Sequence, residues 1–275
     1  MSSTAVTVIS AERHERIRQF LKDLWDYREL FWTFVQRDIK VRYKQTALGV
    51  IWVILQPLFI TGAFSLIFGK IARMPTDGLP NMLFYLSALV PWGTFATALS
   101  QSAQSLETNA HLISKVYFPR LVVPGAIVFG SFLDFLIGWC VLVAVTISFG
   151  YWHWELVAIT PLLLFIQGCT VMGIGLVLAA LNAQYRDVKH TINFFVQIFM
   201  LATPVIYPLS RLPEWIRPYM FFNPMAAVVT TYRVVLKGDA IDWNFVGLSL
   251  AMAILYFCAG TWFFRKRELT LADIV

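Results

Sequence analysis

The chain has 275 residues, 58% of them hydrophobic and only 14% charged, with a formal net charge of +6. That balance excludes a soluble globular protein of this size, because one core cannot hide so many apolar side chains. Basic residues beside membrane spans account for the positive charge, and with no basic-aromatic motif beside them no nucleic-acid partner is expected.

The first segment, residues 12–44, is charged where a cleavable signal would be apolar, so no signal peptide is expected. Ile17, Phe20, Leu21, Leu24 and Trp25, then Leu30, Phe31, Phe34 and Val35, recur at helical spacing among the charges. This predicts amphipathic helix on the inner membrane face, within a cytoplasmic interface segment 1–46. Apolar runs long enough to cross about 30 Å of hydrocarbon follow at 47–68, 81–105, 121–149, 156–182, 192–208 and 245–264. The expected fold is therefore an all-α membrane protein with six transmembrane helices in a domain 47–264, followed by a cytoplasmic tail 265–275. Sixteen of the 22 Lys and Arg residues fall on the side shared by both termini, which places the termini in the cytoplasm. Between spans five and six, Pro204, Pro208, Pro213, Pro218 and Pro224 break any single helix, leaving short pieces within residues 209–236. Such pieces are expected to re-enter the membrane from the outer side, packed against protein.

No catalytic constellation appears. There is no G-x-x-x-x-G-K-[ST] phosphate loop, no G-x-S-x-G elbow, and the four histidines lie singly. Cys140, Cys169 and Cys258 sit in apolar runs without metal spacing and read as packing residues, so no metal site is expected. Asp134 is the single ionisable residue near a span centre and needs a partner. A structural hydrogen bond to Ser131, Gln167 or Thr170 is weighed against a proton relay. Small residues in span four, among them Cys169, Gly173, Gly175 and Ala179, read as close intrachain helix packing rather than a dimer seam. Aromatic residues make up 16% of the chain; each single ring reads first as packing or lipid-facing, and the excess admits stacking on sugars.

The stretch Arg37-Asp38-Ile39-Lys40-Val41-Arg42-Tyr43-Lys44, followed by Leu48-Gly49-Val50-Ile51-Trp52 and Gln56-Pro57, resembles the start of ABC type 2 permeases that export O-antigen and capsular polysaccharide. The segment Leu112 to Leu121, LISKVYFPRL, is similar to that family's connection after span two, and Asn182-Ala183-Gln184-Tyr185-Arg186-Asp187-Val188 and Asn223-Pro224-Met225 also fit. The resemblance implies a homodimeric channel in the bacterial inner membrane, driven by a separate ATP-binding cassette ATPase that alone binds ATP and Mg, with no cofactor in this chain. The cargo it implies is undecaprenyl-diphosphate-linked polysaccharide. By the same resemblance, Ser114, Lys115, Tyr117, Phe118, Pro119 and Arg120 would meet the ATPase. The first and fifth spans would line the channel, which makes Trp52, Phe59, Phe195 and Phe199 candidates for stacking on sugars. Arg37, Lys40, Arg42 and Lys44 suit a lipid diphosphate at the entrance. Trp215, Tyr219, Asn223 and Pro224 would belong to an outer gate. The competing readings are a proton-coupled transporter using Asp134 and a membrane-embedded acyl- or glycosyltransferase.

Overall fold

The computed structural model describes residues 25–44, 50–113, 115, 118–185 and 187–271; the side chains of Lys44, Val50, Trp52, Val53 and residues 268–271 lie outside the description. Residues 12–24 of the predicted amphipathic segment therefore lie outside it too. Among the described residues there are helices and turns and no strand. In chain order the helices are α1 (Arg28–Lys44), α2 (Val50–Phe64), α3 (Asn81–Thr108), α4 (Ala110–Ile113), α5 (Val122–Ser148), α6 (Glu155–Gln184), α7 (Val188–Ala202), α8 (Pro224–Lys237) and α9 (Trp243–Leu271). A π-helical turn, Ser65–Ile71, extends α2, and two 3-10 turns, Leu209–Arg211 and Arg217–Phe222, precede α8.

Among the described residues five stretches are long and apolar enough to cross a membrane: Ile54–Ile71, Asn81–Thr108, Val122–Ser148, Glu155–Gln184 and Trp243–Arg267. The expected fifth span differs. Its helix, α7, has 15 residues and stops at Ala202 rather than 208. Thr203 is extended because it precedes Pro204, whose ring disfavours helical backbone before it. Span six continues past 264 to Leu271, so the start of the expected tail is helical. Lys266 lies over the Trp262 ring and Arg267 over Phe263, and cations suit the negative end of a helix.

The long helices pack around α3, which is 72% buried across its apolar window. It follows Pro80 and buries rings on several sides, including Tyr85, Trp92 and Phe95. Helices α5 and α6 pack against it, and α9 lies along α6. The α6–α9 crossing is set by two glycines. A Cβ on Gly173 would fall 2.3 Å from the Tyr256 carbonyl carbon, and one on Gly260 would fall 2.1 Å from the Gly173 oxygen. Only residues without side chains allow backbones so close, and here they serve packing within one chain.

Helix α2 is the opposite of α3: only 6% of its apolar window is buried. Helix α7 buries Ile192 alone. These two helices carry wide uncovered apolar faces, through Phe59, Ile60 and Leu66 on one and Phe194, Ile198 and Leu201 on the other.

A second apolar cluster gathers the helix ends beside α1. Phe34 and Val35 of α1 pack with Ile113, Phe118, Val122, Leu176 and Phe264. Helix α1 thus docks by its buried stripe, mainly along α5, while Trp25, Trp32 and Val41 stay exposed.

Candidate functional site

The central acid of α5 finds its partners on α1. Arg42 forms an ion pair with Asp134, the Tyr43 hydroxyl donates to the other Asp134 oxygen, and Arg42 also donates to Gln101 of α3. Of the partners expected from sequence, Gln167 is buried with its Oε1 unpartnered and does not reach Asp134, and the other two are occupied elsewhere. Ser131 donates to the Val128 carbonyl at 2.6 Å and Thr170 to the Ile166 carbonyl at 2.7 Å. Burial, then the hydrogen bond to Asp134, pushes the Tyr43 phenol well above its usual pKa, so it remains a donor. A span acid is costly in hydrocarbon, and a paired guanidinium satisfies it. No local periodicity joins residues 92 positions apart, which is why this pairing is invisible in the sequence.

The four basic residues assigned to an entrance separate. Arg37 pairs with Asp38 at 2.8 Å and lies 4.7 Å from the Phe34 ring centre. Arg42 is held by Asp134, Lys40 is exposed, and the Lys44 side chain is outside the description. Beside Arg37 and Arg42, a polar cavity of about 280 Å³ opens between α1 and α3, lined also by Gln101, Ser105 and Asn109.

The predicted coupling segment joins the same unit. Phe118 is 5% exposed and its ring centre lies 5.8 Å from Phe34 of α1. Lys115 is exposed, Pro119 and Arg120 are half-buried, and Ser114 and Tyr117 lie outside the description. Close by, Asn182 of α6 donates to Glu107 of α3 at 3.0 Å, Lys189 of α7 pairs with Glu107 at 3.6 Å, and Arg267 of α9 donates to Gln184 of α6 at 3.1 Å. The polar residues at the end of span four thus tie the helix ends together.

Of the predicted channel rings, Phe59 is 67% exposed on α2, and the Trp52 side chain is outside the description. Phe195 and Phe199 stack at 5.6 Å and 12°, and Phe199 also meets Trp92 and Phe95 of α3. The outward ring on that helix is Phe194. Positions 194, 198 and 201 form one helical stripe and 195 and 199 the next, so sequence alone does not choose between them.

At the end of the bundle away from α1, Trp215 and Tyr219 are exposed while Asn223 and Pro224 are buried. Asn223 caps α8 by accepting from the Met225 amide at 3.1 Å, and it donates to Thr203 Oγ1 at 2.9 Å. Pro224 starts the helix, where its missing N–H costs nothing, and Gly238 ends it with φ of 72°. A residue that sequence reasoning missed holds this region. Arg233, 5% exposed, donates to the carbonyls of Pro204 at 2.5 Å, Val205 at 2.7 Å, Tyr207 at 3.2 Å and Phe84 at 3.3 Å. Its guanidinium lies 3.5 Å from the Phe84 ring centre. Among the described residues no carboxylate lies within ion-pair distance of it. The carbonyls freed where α7 stops are thus capped by one cation.

A helical bundle with a docked amphipathic helix, two uncovered helices and a short buried helix at the far end fits a transport subunit. Residues 29–237 match the model of the family described as ABC-2 type transporter. The chain belongs to that family. Within it, the chain is 28% identical over 255 residues to the O-antigen export system permease protein RfbA of Myxococcus xanthus, covering 91% of this chain and 97% of that one. It is 26% identical to the protein of the same description from Klebsiella pneumoniae, over 90% and 95% of the two chains. It is 24% identical to the polysialic acid transport protein KpsM of Escherichia coli, over 84% and 91%. This ABC-2 family member is thus a multi-pass membrane protein alike over nearly its whole length to polysaccharide export permeases.

Proposed function

We propose that the chain is the permease subunit of an exporter that moves undecaprenyl-diphosphate-linked polysaccharide of the O-antigen type across the bacterial inner membrane. Two copies form the channel, and a separate ATPase drives it. The observation that carries this reading is the pair of uncovered helices, α2 and α7, in a chain whose full-length relatives are described as O-antigen export permeases. A transmembrane helix only 6% buried within its own chain can face lipid, but its polar Gln56 and the exposed ring of Phe59 suit a conduit wall better. Helix α7, extended by residues 203–208, completes six crossings in this reading, which puts both termini in the cytoplasm, and α8 enters the membrane from the outer side.

Phe59 stacks on passing sugar rings from one wall and the α7 aromatics from the other; Trp52 is assigned there by resemblance. Lys40, with Arg37 and Arg42 behind it, faces the diphosphate; Lys44 is assigned there from the sequence alone. The segment 114–120 with α1 receives the ATPase, a reading supported by the packing of Phe118 against Phe34 of α1. Trp215 and Tyr219 line the exit, and Asn223 and Pro224 hold the helix that shapes it. The proton-transporter reading loses ground because Asp134 is engaged by Arg42 within the chain.

Deletion of the gene tests the proposal. Polymer on its lipid carrier is expected to accumulate in the cytoplasm while surface polymer is lost, and complementation is expected to restore export only with the ATPase present. Unchanged surface and intracellular polysaccharide would refute it.

A further inference from the structure

An apolar groove of about 1010 Å³ runs between α1, α5, α6 and α9. Its lining includes Gly125 and Gly168 and the rings of Phe129, Phe165 and Phe257, and Arg28 of α1 stands at its rim. No lining residue comes from α2 or α7, so the groove is separate from the uncovered faces assigned above to the conduit. On α6 the lining runs from Pro161 to Met172, about 16 Å of helix at 1.5 Å per residue. That is close to half of the roughly 30 Å hydrocarbon thickness, the depth of a single leaflet.

We propose that this groove holds the acyl chains of an anionic phospholipid from the leaflet on the α1 side, with the headgroup phosphate on Arg28. The walls are apolar, so they accept hydrocarbon and reject a soluble partner. The lining spans the depth of one leaflet, which suits acyl chains entering from the membrane. The rim supplies the matching charge. Arg28 stacks on Trp25 with its guanidinium 5.4 Å from the ring centre and donates to the Trp25 carbonyl. Among the described residues no carboxylate lies within ion-pair distance of it. A guanidinium with free donors at the membrane surface binds phosphate oxygens in pairs.

The test uses the full-length chain in phosphatidylcholine nanodiscs doped with either phosphatidylglycerol or phosphatidylcholine carrying a photoreactive acyl chain. Cross-links are read by mass spectrometry at the peptides containing Phe129 and Phe257, with the peptide containing Ile147, exposed at the other end of α5, as a lipid-facing reference. Phosphatidylglycerol is expected to label the groove about fivefold more than phosphatidylcholine, the factor that one interfacial cation contributes. Arg28→Gln, an exposed position, is expected to bring the two to equality without abolishing labelling. Gly125→Leu adds a side chain to the groove lining and is expected to remove groove labelling while leaving that at Ile147. Equal labelling by both headgroups in the unmodified chain, or a preference that survives Arg28→Gln, would overturn the proposal. So would displacement of the label by a polyprenyl phosphate, or groove cross-links to residues 12–24 or to a second copy in place of lipid.

Discussion

Arg233 offers the sharpest test of how the end of the bundle around α8 is held. Replacing it with Met keeps an unbranched side chain of comparable length in the buried site but removes every donor. The carbonyls of Pro204, Val205 and Tyr207 then lose the partner that the structure gives them. Each hydrogen bond to a charged donor contributes about 1.5–3 kcal/mol, and an orphaned buried carbonyl costs about 1–3 kcal/mol. These figures are not additive, and removing a buried, unpaired cation offsets part of the loss. A net cost of about 3 kcal/mol remains, borne locally by residues 203–208 and the α8 contact. Hydrogen exchange of the full-length chain in nanodiscs reads this directly, because a loss of about 3 kcal/mol from a local opening raises exchange by about two orders of magnitude. Arg233→Lys keeps the charge but reaches fewer carbonyls, and is expected to fall between the two. Exchange at 203–208 that stays within a factor of about three in Arg233→Met would show that the cation does not hold the break after α7.

Other positions separate structural from transport roles. Asp134 and Arg42 are each about one-fifth exposed, so a double-mutant cycle with Asp134→Asn and Arg42→Gln is expected to give a coupling of about 1–3 kcal/mol in thermal stability, below that of a fully buried pair; a value under about 0.3 kcal/mol would dissolve the link between α1 and α5. Phe199→Ala removes a ring packed on Trp92 and Phe95 and is expected to cost about 3 kcal/mol of stability. Phe59→Ala should leave the melting temperature within about 1–2 °C and lower polymer export, so comparable losses of stability in both would contradict the assignment of Phe59 to an open wall. Gly173→Val places carbon atoms against the α9 backbone and is expected to abolish a monodisperse peak in size-exclusion chromatography. Gly93→Ala, with nothing within 4 Å of the added carbon, should gain about 0.5–1 kcal/mol instead.

Much of the architecture is legible because hydrocarbon imposes a length rule on each crossing. Spans two to four appear in the sequence within a few residues of α3, α5 and α6. The rule fails at α7, where Pro204 ends the helix while the apolar run continues to 208. Apolarity measures what a residue tolerates as solvent, whereas the helix end is set by a ring clash. It also says nothing about facing, which explains the ambiguity between Phe194 and Phe195. Pairing across distant segments is harder still. Asp134 is conspicuous as a lone charge, but its choice of Arg42 and Tyr43 follows from how α1 leans on α5. Arg233 looks like an interfacial cation in a polar outer stretch. Its burial depends on four carbonyls brought together from two other segments.

The attachments of the helices indicate which parts move together. Helix α1 grips α5 through Asp134 and Phe129, and it holds the 118–120 segment through Phe34. At the other end, α8 is fixed to α3 through Arg233 and Phe84, and to α6 through Tyr232 and Thr160 at 3.3 Å. Helices α3, α5 and α6 pack tightly on one another and connect the two ends as one rigid block. Helices α2 and α7 hang on that block by narrow contacts. A push delivered at α1 therefore displaces the block as a body, and relative motion concentrates where burial is least, at α2 and α7. We accordingly expect ATP hydrolysis by the partner to change distances between spin labels on α2 and α3 by several ångströms while those between α3 and α6 hold. Equal changes in both pairs would show that the block itself deforms.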